Sequence, residues 1–168
     1  MPKSVQAQEI KLTMAGTSAI LKNESDLALN EKNQRILQLE TFLKKYNSPL
    51  SSYAKDFIET ADKYQIDWKL VPAITGVEST FGRQIPYNSY NAYGWQNGGY
   101  RFNSWEESIE KVTKTLKEKY YSRGLDTPYK IGPIYAPPSK TWAGRVSMFM
   151  KQIENFQTSN SSSLSLTI

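Results

Sequence analysis

The sequence predicts a mainly α-helical (α+β) domain with one small β-hairpin. Three features carry that expectation. Between Asn30 and Ile153, apolar residues recur at helical spacing in several separate stretches. Start and stop signals bracket those stretches: Ser104 with Glu107, Thr127 with Pro128, and the glycines Gly82 and Gly124. One segment breaks the pattern, "NAYGWQNGGYRF" from Asn91 to Phe102, where Asn97-Gly98 between aromatic flanks is a hairpin signal.

Taken in order, residues 1–29 are low in aromatics and weakly periodic, and are expected to form a tail or linker, with at most a nascent helix. The ordered domain is expected over residues 30–156. Asn30 would cap a first helix with Ile36, Leu39 and Leu43 on one face. "NSPLSS" breaks the chain, and a second helix follows with Tyr53, Phe57, Ala61 and Tyr64 in line. Asp67 would cap a third helix that has Pro72 near its start, where proline is least damaging, and Gly82 would end it. After the hairpin, Ser104 and Glu107 form a capping box for a helix with Trp105, Ile109, Val112, Leu116 and Tyr120 inward. Pro128 opens a short helix, "YAPPS" forces a turn, and a last helix places Trp142, Val146, Phe149 and Ile153 on one stripe. Residues 157–168, "QTSNSSSLSLTI", read as a Ser-rich disordered tail.

A chain of 168 residues favours one domain with enough buried surface for a core. It contains neither cysteine nor histidine, which excludes disulfides, thiol nucleophiles, Ser-His-Asp triads and Cys/His metal sites. Acid–base chemistry is left to carboxylates, tyrosine and lysine, with no metal and no cofactor expected. The net charge of +5 points to an anionic partner or to a lysine-rich solvated face. Nucleic acid is not expected as that partner: Arg101 is the single cation in the aromatic stretch. No run of eighteen apolar residues is present, so no membrane span is expected. "KLTMAGTSAILK" is too short and too mixed for a signal peptide. A monomer is expected.

One residue is out of place in this pattern. On a helical wheel of about 100° per residue, Leu70, Val71, Ile74, Val77 and Phe81 fall within an arc of roughly 120°. Glu78 lands inside that arc, between Ile74 and Val71. Desolvation and the negative end of the helix dipole both favour its protonated form. A carboxylic acid that holds its proton near neutral pH suits the protonation of a glycosidic oxygen. The alternative is a Glu78 paired with a cation or reaching water at the stripe's edge.

The surroundings weigh on that choice. From Tyr87 to Trp105 there are seven aromatics in nineteen residues, about three times the rate of the whole chain. Tyr and Trp offer flat faces with hydrogen-bonding edges that suit sugar rings. Asn88, Asn91, Gln96 and Asn97 offer neutral donors and acceptors for hydroxyl and acetamido groups. Phe102 and Trp105 are expected in the core. Tyr93 and Trp95 alternate in phase and are expected to share the strand face that lines a cleft, with Tyr90 nearby.

In their order, "GVESTFG", "YNAYGW", "FNSWEESI" and "IGPIYAPPSKTWAGRVSMFMKQI" resemble the bacterial peptidoglycan N-acetylglucosaminidases of the lysozyme superfamily, relatives of the lytic transglycosylases. The resemblance covers roughly residues 50–155. It implies a lysozyme-like helical fold with a cleft beside the hairpin, and a bacterial autolysin-type hydrolase, secreted, wall-associated or released by a phage at lysis. It implies Glu78 as catalytic acid and Tyr135 as an active-site tyrosine, with Asn91, Tyr93 and Gly94 on a cleft wall and peptidoglycan glycan strands as partner. Ser79 would cap the helix end or touch substrate. "YAPPS" departs from the family's Tyr-Ala-Thr-Asp-Pro, so whatever that aspartate does is supplied elsewhere or absent. No second carboxylate stands out: Glu107 is the capping partner, and Glu106, Glu110 and Asp126 read as solvated. Hydrolysis after GlcNAc is expected, with transglycosylation to an anhydro-muramyl product and non-catalytic wall binding as alternatives.

Overall fold

Six α-helices and three short 3-10 turns make up the computed structural model, which describes residues 3–157. The expected Ser-rich tail lies, beyond Gln157, outside the described residues. The helices are α1 (Lys3–Lys45), α2 (Ala54–Tyr64), α3 (Leu70–Ser79), α4 (Trp105–Lys119), α5 (Pro128–Tyr135) and α6 (Trp142–Glu154). Contacts divide the chain into two units, residues 1–35 and 36–168. The first is the α1 segment before Ile36, whose Leu27 and Leu29 are exposed. Asn30 lies inside α1 rather than at its start, because good helix formers flank it on both sides. No helix among the described residues is long and apolar enough to cross a membrane.

The second unit is built around α3, which packs on α6, while α2 packs on α4 and α5 on α6. The periodic residues supply the core. Leu39, Leu43, Phe57, Ile74, Ile109, Leu116 and Ile153 are all buried. Full burial of each such side chain contributes about 1.5–3 kcal/mol. Two of the expected caps form. Ser104 Oγ accepts from Glu107 N–H, and Thr127 Oγ1 accepts from Lys130 N–H behind Pro128. Asp67 does not cap α3, which starts at Leu70 with Lys69 as its N-cap, while Asp67 Oδ1 accepts from Lys69 N–H in the turn before it.

α3 stops earlier than the sequence implies. Thr80 (φ 52°) and Phe81 (φ 58°) are both left-handed, ahead of Gly82. Non-glycine residues in such backbone cost about 1–3 kcal/mol each. Tertiary contacts offset that cost. Phe81 N–H donates to Thr75 O (2.9 Å), Ser48 Oγ donates to Phe81 O (2.7 Å), and the Phe81 ring is buried against Phe42, Tyr46 and Phe149.

The expected β-hairpin is not formed: the described residues contain no strand. The chain does reverse at Asn97-Gly98, as a 3-10 turn over Trp95–Gly98 with Gln96 and Asn97 left-handed, and Tyr100 N–H donates to Trp95 O. A side chain replaces the ladder that a hairpin would need. Asn91 Nδ2 donates to both Trp95 O (2.9 Å) and Tyr100 O (3.1 Å), and Asn91 Oδ1 accepts from Trp95 N–H. The neighbouring carbonyls and amide are thereby satisfied inside a loop. The fold is therefore mainly α, without the β element.

Candidate functional site

Glu78 occupies the last turn of α3, half-buried, with its carboxylate pressed against the loop that follows Asn91. A β-carbon added to Gly94 would lie 2.7 Å from Glu78 Oε2, so the loop backbone approaches the acid as only glycine permits. Gly94 is itself left-handed, at φ 70°. The other oxygen, Oε1, accepts from Trp142 Nε1 at 2.6 Å. Trp142 stands at the first turn of α6 and is buried.

Burial raises the proton affinity of Glu78 above the ordinary carboxyl value. The Trp142 N–H and, more weakly, the positive charge of Arg145 pull in the opposite direction without cancelling it. Replacing Trp142 by phenylalanine keeps a ring in place and removes the N–H that favours the anion. The Glu78 carboxyl of Trp142→Phe is expected to titrate at a higher pH than in the parent protein, as read by NMR of the side-chain carbon. A downward shift would show that the indole does not act on this carboxyl as the geometry indicates.

Tyr135 ends α5, with its ring stacked on Trp142 at 5.0 Å between centroids and 27° between planes. Its hydroxyl donates to Tyr93 O at 2.8 Å. Burial and the nearby Glu78 charge hold that hydroxyl protonated well above the usual tyrosine range. Glu78, Trp142 and Tyr135 thus form one connected group. Tyr135, and Gly94 where it meets Glu78, connect that group to a groove of about 420 Å³ walled by Tyr93, Gly94, Trp95, Gln96, Asn97, Tyr100, Tyr120 and Tyr135, while Glu78 and Trp142 are not themselves part of its wall.

The other residues singled out in the sequence fall into two groups. Trp95, half-buried, and Gln96, exposed, flank the groove. Asn91, Ser79 and Tyr90 serve the loop and the core, while Tyr93 is buried in the core and also contributes to the groove wall. Asn91 is the loop's internal brace. Ser79 Oγ, buried, shares its proton between Thr75 O and Ala92 O (both 3.0 Å) and accepts from Gly82 N–H, tying the end of α3 to the loop. Tyr93 does not share a face with Trp95, because no strand exists to impose alternation. It is fully buried, its hydroxyl against Ser108 Oγ, and its carbonyl is the part that meets Tyr135. Tyr90 packs edge-on against Trp105 at 5.3 Å.

Two residues that sequence reasoning placed elsewhere join the site. Trp142 reads as a core residue from its stripe, yet a buried indole N–H needs an acceptor, and that need was the available signal. Tyr120, expected inward on α4, lines the groove beside Tyr135 at 6.4 Å between ring centroids. Three of the carboxylates weighed in the sequence are engaged with other partners, and none of them walls the groove. Glu107 accepts from Asn103, Glu110 from Tyr64 and Lys63, and Asp126 from Lys130. At "YAPPS", Ser139 Oγ accepts from Trp142 N–H (3.1 Å), which fixes the entry to α6 and thereby the indole that faces Glu78.

No protein-family profile and no curated protein matches this chain.

Proposed function

We propose that the protein cleaves the glycan strand of peptidoglycan as an endo-β-N-acetylglucosaminidase, with Glu78 as general acid. The observation that carries this reading is the half-buried Glu78 carboxyl, raised in proton affinity and oriented by Trp142, set against Gly94, which walls a groove together with Trp and Tyr rings and amide side chains. The rings suit stacking on sugar faces, and Gln96 and Asn97 suit hydroxyl and acetamido groups. Glu78, protonated, donates its proton to the glycosidic oxygen as the bond to the anomeric carbon breaks. The four ordered sequence elements support the same assignment of Glu78 and Tyr135.

No Asp or Glu is among the residues that wall the groove, so the group that stabilises the anomeric carbon is assigned to the substrate's own N-acetyl oxygen. Tyr135 fits a supporting part. Its proton is engaged by Tyr93 O, which leaves the phenolic oxygen as an acceptor for the acetamido N–H. Drawing on that N–H increases the electron density on the acetamido oxygen and steadies the charge it develops. Water then attacks the anomeric carbon, breaking its bond to the acetamido oxygen and passing a proton to the Glu78 carboxylate, which restores the acid and leaves a reducing GlcNAc end. The polymer places this work outside the cytoplasmic membrane.

Mass spectrometry of digested peptidoglycan tests the proposal. Reducing GlcNAc ends are expected. Anhydro-muramyl ends would assign the protein to lytic transglycosylation, with the muramyl 6-hydroxyl in place of water. Intact strands that nevertheless sediment with the protein would leave it as a wall-binding module.

A further inference from the structure

A second and larger groove, of about 660 Å³, lies between the end of α1, α6 and the start of α5. None of its lining residues borders Glu78 or the first groove. Its walls combine aromatic rings (Tyr46, Tyr129 and Phe156) with the polar side chains of Ser147, Gln152 and Asn155. Tyr129 is 67% exposed and Met148 45%, and both line it.

The charge of the groove is one-sided. Lys45 and Lys151 line it and no carboxylate does. Six of the other ten lysines of this unit are ion-paired: Lys44 with Glu40, Lys63 with Glu110, Lys69 with Glu154, Lys111 with Glu107, Lys114 with Glu118 and Lys130 with Asp126. Among the described residues neither Lys45 nor Lys151 makes such a pair. Lys45 instead lies over the Phe156 ring, 5.9 Å from its centroid. Glu154, the acid nearest Lys151 in sequence, directs its carboxylate to Lys69 at 2.8 Å. Flat rings and amides beside two ammonium groups, with no carboxylate in the groove wall, match a sugar chain that carries carboxylates.

We propose that this groove is a second binding site, for a carboxylate-bearing segment of the wall glycan. Tyr46, Tyr129 and Phe156 stack on sugar rings, and Lys45 and Lys151 pair with lactyl or peptide carboxylates. The site retains the enzyme on its insoluble polymer while the Glu78 groove acts elsewhere on the strand. The identity of the polymer rests on the glycosidase reading above, while the preference for anionic sugar rests on this groove alone.

The experiment is a two-dimensional NMR titration of the Glu78→Gln protein with soluble peptidoglycan fragments bearing peptide carboxylates, in parallel with neutral chito-oligosaccharides. The anionic fragments are expected to shift the amides of Lys45, Tyr46, Tyr129 and Ser147 as a set separate from Gly94–Tyr100. The Lys45→Gln, Lys151→Gln double variant is expected to weaken that set's affinity about tenfold, from two exposed charge contacts. Affinity at Gly94–Tyr100, and the turnover of short fragments by the Glu78 protein, should not change. Three results would overturn the inference: no shifts in the groove, equal affinity for the neutral oligomer there, or groove shifts that appear on concentrating the protein alone, which would make the occupant a second copy of this chain. Loss of groove binding with retained glycan cleavage removes this site only. Groove binding without cleavage removes the catalytic reading only.

Discussion

Glu78→Gln is expected to lower the rate of peptidoglycan cleavage by on the order of 10³-fold, within the range that a positioned general acid supplies, while binding of soluble fragments in the Trp95 groove persists. Glutamine keeps the shape of the side chain and retains an oxygen for the Trp142 N–H, but it has no proton to give. The same substitution carries a stability signature. Burial raises the folded-state proton affinity of Glu78, whose ordinary value is 4.5. From there upward the folded protein holds a proton that the unfolded chain has released, so stability falls as pH rises through the folded value. Glutamine does not titrate. Relative to the parent, Glu78→Gln should therefore gain in melting temperature as pH rises from below 4.5 to neutrality, and the two proteins should not diverge further below that value. In activity, the parent should lose kcat/KM on the alkaline side, as Glu78 ionises. Undiminished dye release from stained cell walls by Glu78→Gln would refute the catalytic assignment.

Gly94→Ala is the second large effect, and it separates activity from stability. The left-handed backbone at Gly94 costs alanine about 1–2 kcal/mol. The added methyl would also lie 2.7 Å from Glu78 Oε2. Its obstacle is the free end of a side chain rather than backbone, so the carboxylate moves and the fold persists. A displacement of about 1 Å in a reacting group can cost about 10²-fold in rate, and a kcat loss of that order is expected. Gly98→Ala is the control. Gly98 has φ 84°, and its added methyl would meet only Pro86 Cγ, at 3.6 Å. Chemical denaturation should show similar destabilisation for both variants, with kcat falling only for Gly94→Ala. Equal activity of the two would mean that Glu78 does not act from the place it occupies beside Gly94.

The helical body was legible because its signals are local. A 3.6-residue apolar period, a Ser104 cap and a Pro128 start act within a turn or two of chain, and each formed where it was read. The partial burial of Glu78 was legible for the same reason, since its position on the wheel follows from its neighbours in α3. The segment from Asn91 to Phe102 was harder. Its turn residues do reverse the chain, but strand pairing requires that the flanking backbone groups have no better partner. The Asn91 amide takes two carbonyls and an N–H that a ladder would have used. With the strand went the alternation that had put Tyr93 beside Trp95.

The sequence alone determined the helical class, the exclusion of thiol and imidazole chemistry, and a carboxylate set into an apolar stripe, because composition and short-range periodicity are properties of the chain itself. The tertiary structure decided what that carboxylate touches. Trp142 lies 64 residues away and reaches Glu78 only once α6 has packed on α3. The contact of Gly94 with Glu78 likewise exists only when Asn91 and Ser79 have drawn the loop onto the end of α3. A hydrogen bond between distant residues leaves no period in the sequence. Its geometry is set by the packing of whole helices, which is why the acid could be found by reading along the chain and its orienting partner could not.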